Sequence, residues 1–174
     1  MKFEFSAGGI VFKKSKIPPA KARNWRAGKN PARLASESVT GRQKSKILIL
    51  VSQHSQHHGW VFPKGLIGDH IKGEGKEETA LREVQEETGV LGKILKPLVP
   101  VTYWYVLGKN PSMGSGQVKI KKTVYYYLME YISGDIKDHD WEMENVEWLP
   151  PDKVEERLTY DSDKKVWKEA QKLL

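Results

Sequence analysis

Three glutamates in REVQEETG constrain this chain more than any other feature. Glu83, Glu86 and Glu87 stand at i, i+3 and i+4. Helical geometry would gather them on one face within roughly a 100° arc. Leu81, Val84 and Thr88 would then fall on the opposite face and pack inward. Like charges crowded on one face repel by a few tenths of a kcal/mol per pair even in solvent, and a hard divalent cation with oxygen ligands would offset that cost. On the glutamates alone, a solvated acidic helix face explains the pattern equally well. The helix is expected from about Lys76 to Thr88, with Gly89 as a left-handed C-cap.

Two further features point toward chemistry. Upstream lies WVFPKG, an aromatic segment ending in the Pro63-Lys64-Gly65 turn, where Lys64 is placed to offer its ammonium to phosphate oxygens. Between turn and helix sit Gly65, Gly68, Gly73 and Gly75, which suit close approach of backbone to a ligand. With these residues in place the chain resembles the Nudix hydrolase family, whose signature runs G-x5-E-x7-R-E-U-x-E-E-x-G-U, U being a bulky aliphatic. Gly68, Glu74, Arg82, Glu83, Val84, Glu86, Glu87, Gly89 and Val90 fill every fixed position. One departure stands out. The family's first box glycine is commonly that of the PKG turn, which here is Gly65, three residues too far from Glu74; either Gly65 or Gly68 is the functional counterpart.

The resemblance implies an α/β fold, the Nudix-type α/β/α sandwich with a mixed sheet and the box helix beside the glycine-rich loop. It makes Glu83, Glu86 and Glu87 metal ligands for Mg²⁺, with Mn²⁺ as the alternative, and casts Arg82 and Glu74 as supports that orient the helix. A further acid from outside the box is often recruited, and the position before the EWLP strand points to Glu142, with Glu144 and Glu147 as the other candidates. The combination WVFPKG, KKTVYYYL, EWLP and LTYDSDKKVW looks like the branch that hydrolyses dinucleoside polyphosphates such as diadenosine tetraphosphate. In that branch a lysine contacts phosphate and an aromatic ring stacks on adenine, which here match Lys122 and Tyr126. Strand alternation forbids Tyr125, Tyr126 and Tyr127 from all facing one site. Within the enzyme class the alternatives are an RNA 5′-pyrophosphohydrolase, a diphosphoinositol polyphosphate phosphatase and a nucleotide-sanitising pyrophosphatase. Outside it stands a nucleic-acid-binding module of the same fold.

The remainder of the chain fits one domain over 1–174. A basic insertion at about 15–46 interrupts it. Lys13 to Lys46 carries eleven basic side chains against a single acid, Glu37, for a net +10, whereas the rest of the molecule nets −3. This insertion reads as a solvated loop or as an arm steering polyphosphate or nucleic acid toward the site, Trp25 between Arg23 and Arg26 being its one stacking candidate. AGGIVF and ILILVSQ read as buried strands, LVPVTYWYVLG and KKTVYYYLMEYI as an antiparallel pair, and NVEWLP as another strand. The tail reads as two helices, the last carrying Val166, Trp167, Ala170 and Leu173 on or near one face. His54, His57 and His58 read as a polar loop, with His58 the one approaching substrate. Without cysteine, disulfides and thiolate zinc sites are excluded, and a cytoplasmic home is the default expectation.

Overall fold

The computed structural model describes residues 1–16, 45–107 and 118–174. Among the described residues, eight strands form one mixed sheet. They are β1 (Lys2–Lys16), β2 (Ser45–His54), β3 (Trp60–Val61), β4 (Lys64–Leu66), β5 (Val90–Pro97), β6 (Val101–Leu107), β7 (Val118–Gly134) and β8 (Met143–Leu149). The path is β3-β2-β1-β7-β5, with β4 on β1, β6 on β7 and β8 on β2. β1 and β7 run parallel from Lys2↔Ile120 to Phe12↔Glu130, while the other pairings are antiparallel.

Alternation along the strands sends neighbouring residues to opposite faces, and each face has its own core. On one, Ala7, Val11 and Leu50 pack with Ala80 and Val84 of α1 (Lys76–Thr88). On the other, Ile10, Ile49, Phe62 and Tyr126 meet Val154 of α2 (Pro151–Arg157) and Val166, Trp167 and Ala170 of α3 (Asp161–Gln171). The molecule is therefore an α/β/α sandwich. Trp167 is fully buried, so its truncation to Ala would cost about 3–5 kcal/mol.

The expected antiparallel pair is present as β6 and β7, Thr102 facing Thr123 and Trp104 facing Lys121. α1 has the expected bounds, and Gly89 closes it at φ 69 with its N–H donating to the Gln85 carbonyl. Three details differ. β5 follows Gly89 at once, although VLGKILKP carries a glycine and two lysines and reads poorly as a strand by pattern; pairing with β7 overrides propensity. Leu81 is exposed, and the buried stripe of α1 is instead Thr79, Ala80, Glu83, Val84, Glu87 and Thr88. Leu173 lies past the end of α3 and is also exposed. The basic insertion with Trp25, like the loop at 108–117, lies almost wholly outside the described residues. Among the described residues no helix is long and apolar enough to cross a membrane.

Candidate functional site

α1 does not present its three glutamates alike. Glu83 and Glu87 point inward, at 6% and 5% exposure, beneath the turn that links β3 to β4. The Glu87 carboxylate accepts the Lys64 backbone N–H at 3.0 Å. Glu83 lies so close to Gly65 that a Cβ there would overlap its carboxylate. That close approach is what Gly65 is needed for. Gly68 has φ +75, and a Cβ there would meet only the Ile71 carbonyl at 3.9 Å, so it serves the turn and no contact with the acids. The family-like spacing therefore falls on Gly68, whereas the glycine packed against the acids is Gly65, with the three extra residues lying between it and Glu74.

Arg82 ties the acids together. Its guanidinium forms a two-pronged bond with Glu74 (Nε and Nη2, both 2.9 Å), and its Nη1 reaches Glu83 at 2.7 Å and Glu86 at 2.8 Å. Paired forks of this kind are the strong geometry for Arg and carboxylate. Hydrogen bonding to Arg82 holds the Glu74 carboxyl below its ordinary range, and Glu74 in turn raises the guanidinium. Burial does the reverse to the inward pair. It raises Glu83, with Arg82 opposing, and pushes Glu87 well up, opposed by Lys64 and reinforced by the neighbouring Glu83 charge. Two buried carboxylates whose proximity disfavours ionisation form a site that a cation would relieve. Among the described residues, no three Asp, Glu, His or Cys side chains close into a ready metal cage. Glu83 and Glu86 share Arg82 instead, and Glu86, with its side chain 45% exposed, is the more open to solvent.

These acids line one end of a cleft of about 670 Å³. Lys64 and Lys122 also line it. Burial lowers the Lys122 ammonium, as does the nearby Lys64, while Glu4, Glu87 and Glu83 raise it. At the cleft's other end the wall is aromatic, with the Asp161 and Asp163 carboxylates beside Tyr160. Tyr103 and Tyr105 come from β6, Tyr160 from the turn before α3, and His54 and His57 from the end of β2 and the turn after it. The two imidazoles stack with centroids 4.2 Å apart, and the Tyr160 hydroxyl lies 3.2 Å from His57 Nδ1. Burial lowers both histidines and raises Tyr103 to about 12.

Residues 36–170 match the NUDIX domain. The chain belongs to that family. Over 144 residues, 81% of its length, it is 31% identical to "Putative mutator protein MutT4" of Mycobacterium tuberculosis (strain CDC 1551 / Oshkosh), covering 53% of that protein. Over 118 residues, 68% of its length, it is 30% identical to an 8-oxo-(d)GTP phosphatase of Mycolicibacterium smegmatis (strain ATCC 700084 / mc(2)155), covering 32% of it. The chain thus spans about half the length of the first relative and a third of the second. A solved structure of the C. elegans Ap4A hydrolase, a binary complex, superposes with a TM-score of 0.58 at 18% identity, covering 98% of this chain and 96% of that one. At such identity the likeness shows the fold, a NUDIX α/β/α sandwich.

Within this NUDIX domain, Glu83, Glu86 and Glu87 share a cleft with Lys64 and Gly65, and Lys122 and Glu142 also line it. Arg82 stands behind the acids, its side chain 13% exposed. Tyr126 requires a correction. Its ring is 2% exposed in the core against Phe62, and its hydroxyl donates to Asp163 Oδ1 at 3.0 Å. It cannot stack on a base, because the phase of β7 that brings Lys122 to the cleft puts Tyr126 four residues deeper on the same face. His58 is also misplaced by the sequence reading: it pairs with Glu144 at 2.6 Å on the surface, and His54 and His57 line the cleft instead. Glu147 pairs with Arg157 away from the cleft.

Sequence reasoning missed Asp140, whose N–H donates to the Glu86 carbonyl at 3.0 Å and docks its loop against α1. The acid-rich run DHDWEMEN was the available signal, and Asp140 lines the cleft together with the expected Glu142. It also missed Asp163, a buried carboxylate that accepts from the Phe62 N–H and the Tyr126 hydroxyl and lines the cleft. Nothing local in LTYDSDKK distinguishes Asp163 from the exposed Asp161.

Proposed function

We propose that the protein is a metal-dependent hydrolase of phosphoanhydride bonds in nucleoside diphosphate-linked compounds, with dinucleoside polyphosphates of the diadenosine type as its substrate class. The observation that carries this reading is the division of one cleft into an acidic end and an aromatic end, with Lys64 and Lys122 lining it as well. Glu83, Glu86 and Glu87 would hold Mg²⁺, and Mn²⁺ takes the same oxygen donors. When bound, such an ion neutralises phosphate charge and makes water a competent nucleophile near neutral pH.

The chain's own residues supply the rest. Lys64 and Lys122 bind phosphate oxygens. Arg82, anchored by Glu74, fixes the side chains of Glu83 and Glu86, and the Lys64 N–H fixes Glu87. Glu142 is the proposed general base, with Asp140, fastened to the end of α1, beside it on the cleft wall. Base stacking passes from Tyr126 to Tyr103, Tyr105 or Tyr160, whose rings line the cleft. A second reading, hydrolysis of an oxidised nucleoside triphosphate, is favoured by the similarity to the mycobacterial 8-oxo-(d)GTP phosphatase.

A panel of diadenosine tetraphosphate, 8-oxo-dGTP, ADP-ribose, a diphosphoinositol polyphosphate and triphosphorylated RNA, each assayed with Mg²⁺, Mn²⁺ and chelator, tests both readings. The expected result is preferred, metal-dependent turnover of diadenosine tetraphosphate. Preferred turnover of 8-oxo-dGTP would replace the first reading with the second, and turnover unaffected by chelator would overturn both.

A further inference from the structure

We propose that the outward face of the β6–β7 hairpin, where it adjoins the start of β1, is a binding platform for single-stranded nucleic acid. α1 covers this side of the sheet at Ala7 and Val11 but stops short of the residues before them. There Phe3, Phe5 and Trp104 are exposed to 53%, 50% and 57%. Three large aromatic rings so open to water on one strip of sheet need an explanation beyond the scatter of single apolar residues on any surface.

The register puts them together. Phe3 pairs with Lys121 of β7, and Lys121 pairs with Trp104 of β6. One step along, Phe5 pairs with Thr123 and Thr123 with Thr102, whose hydroxyls lie 3.0 Å apart. One step the other way, Lys119 faces Val106. Directly paired residues share a face of the sheet. Each crossing of the strip therefore combines ring or aliphatic surface with a cation or a hydroxyl. The Lys121 ammonium lies 5.5 Å from the centre of the Trp104 ring. A hollow of about 350 Å³ is lined by Trp104, Tyr105, Val106 and Lys119.

This chemistry suits one ligand best. Rings present flat faces to unpaired bases, lysines meet the phosphates between them, and neither reads sequence. Residues i and i+2 on a strand, such as Phe3 and Phe5, stand roughly 6.6 Å apart, so successive bases must be unstacked from one another, as only a single strand allows. A second copy of the chain fits poorly, because an isologous contact over this strip would bring together four lysines, Lys119 and Lys121 of each copy. Glu77 and Glu78 line a hollow with Phe5 at the start of α1, so the favourable path runs along the hairpin and away from the helix. On the same two strands Lys122 and Tyr105 face the catalytic cleft. The platform and the cleft are therefore the two sides of one hairpin, and the proposal does not depend on the hydrolase reading.

Fluorescence anisotropy with 5′-hydroxyl, 3′-labelled oligouridylate and oligothymidylate of about twelve nucleotides, and with a duplex of equal length, tests this on the full chain. The 5′-hydroxyl keeps terminal phosphate out of the cleft. Both single strands are expected to bind more tightly than the duplex, with affinity falling as salt rises. Trp104→Ala should weaken binding roughly tenfold or more. Lys121→Glu should weaken it comparably and flatten the salt dependence, and Phe3→Ala provides a third variant on a different strand. All three should keep the wild-type melting temperature and nucleotide hydrolysis. Absence of binding, tighter binding of the duplex, or affinity unchanged in Trp104→Ala and Lys121→Glu would overturn the proposal. A dimer in sedimentation equilibrium that Trp104→Ala dissociates would overturn it too, by assigning the strip to a second copy.

Discussion

The two ends of the cleft are built on different principles. At the α1 end, charged groups are held by one guanidinium, and most of them lie within a few residues of each other on a single helix. At the α3 end, polar aromatic side chains come from β2, β6 and the turn before α3, more than one hundred residues apart in the case of His57 and Tyr160. Under the proposed function the first end would serve reaction and the second recognition. Charge chemistry needs fixed short distances, which a helix supplies by its period. Recognition needs a shaped wall, which only the closing of separate elements provides.

If the acidic end alone carries the chemistry, Glu86→Gln should show the largest effect. It removes a donor charge at the exposed carboxylate while leaving the inward pair intact, so turnover should fall roughly 10²–10³-fold or more with the melting temperature nearly unchanged. A variant that keeps metal-stimulated turnover in a steady-state assay would break the comparison outright. Gly65→Ala comes next. The added methyl must displace the Glu83 carboxylate, and a displacement of this kind at a reacting centre costs on the order of 10²-fold. Gly68→Ala should leave turnover alone and lower stability by about 1 kcal/mol for its left-handed backbone. Equal losses of turnover in the two variants would show that the close approach at Gly65 has no part in the reaction.

Glu74 sharpens the contrast by pH. Its folded carboxyl titrates below the unfolded value of 4.5 because Arg82 bonds to the charged form. The stability it contributes is therefore complete above pH 4.5 and is lost as pH falls through the lower, folded value. Glu74→Gln should cost about 2 kcal/mol at neutral pH and flatten the decline below pH 4.5 in urea titrations. A wild-type acid limb in that variant would detach Glu74 from the helix's support. The smallest effects belong to the aromatic end. Tyr160→Ala should raise KM about tenfold through lost stacking with little change in kcat. Tyr126→Phe should leave KM alone and cost only about 1 kcal/mol of stability, the worth of its bond to Asp163. A raised KM in Tyr126→Phe would return that hydroxyl to the substrate site.

These contrasts follow how far each residue could be read without the fold. The helix with its cap at Gly89, the pairing of β6 with β7 and the strand character of β1, β2 and β8 were legible because periodicity and turn chemistry act over a few residues. β5 was not, since its pairing with β7 outweighs a weak local pattern. Leu81 was misassigned because the buried stripe of α1 is set by the Lys64–Gly65 turn, which draws Glu83 and Glu87 inward against their hydrophilicity. Lys64 and Lys122 were named from sequence as phosphate-binding, and both line the cleft. Tyr126 failed because a strand pattern gives the face a residue takes but not the depth at which the neighbouring helix covers it.

By itself, the sequence determined which groups stand at helical spacing close enough to share a charge: Arg82 with Glu86, and Glu83 with Glu86 and Glu87, since helical spacing is a local property. The tertiary structure alone decided which glycine meets the acids, which tyrosines remain in contact with water, and that Asp140 and Asp163 join the cleft. Those outcomes depend on distances between elements far apart in the chain, and such distances exist only once the two cores have packed against the sheet.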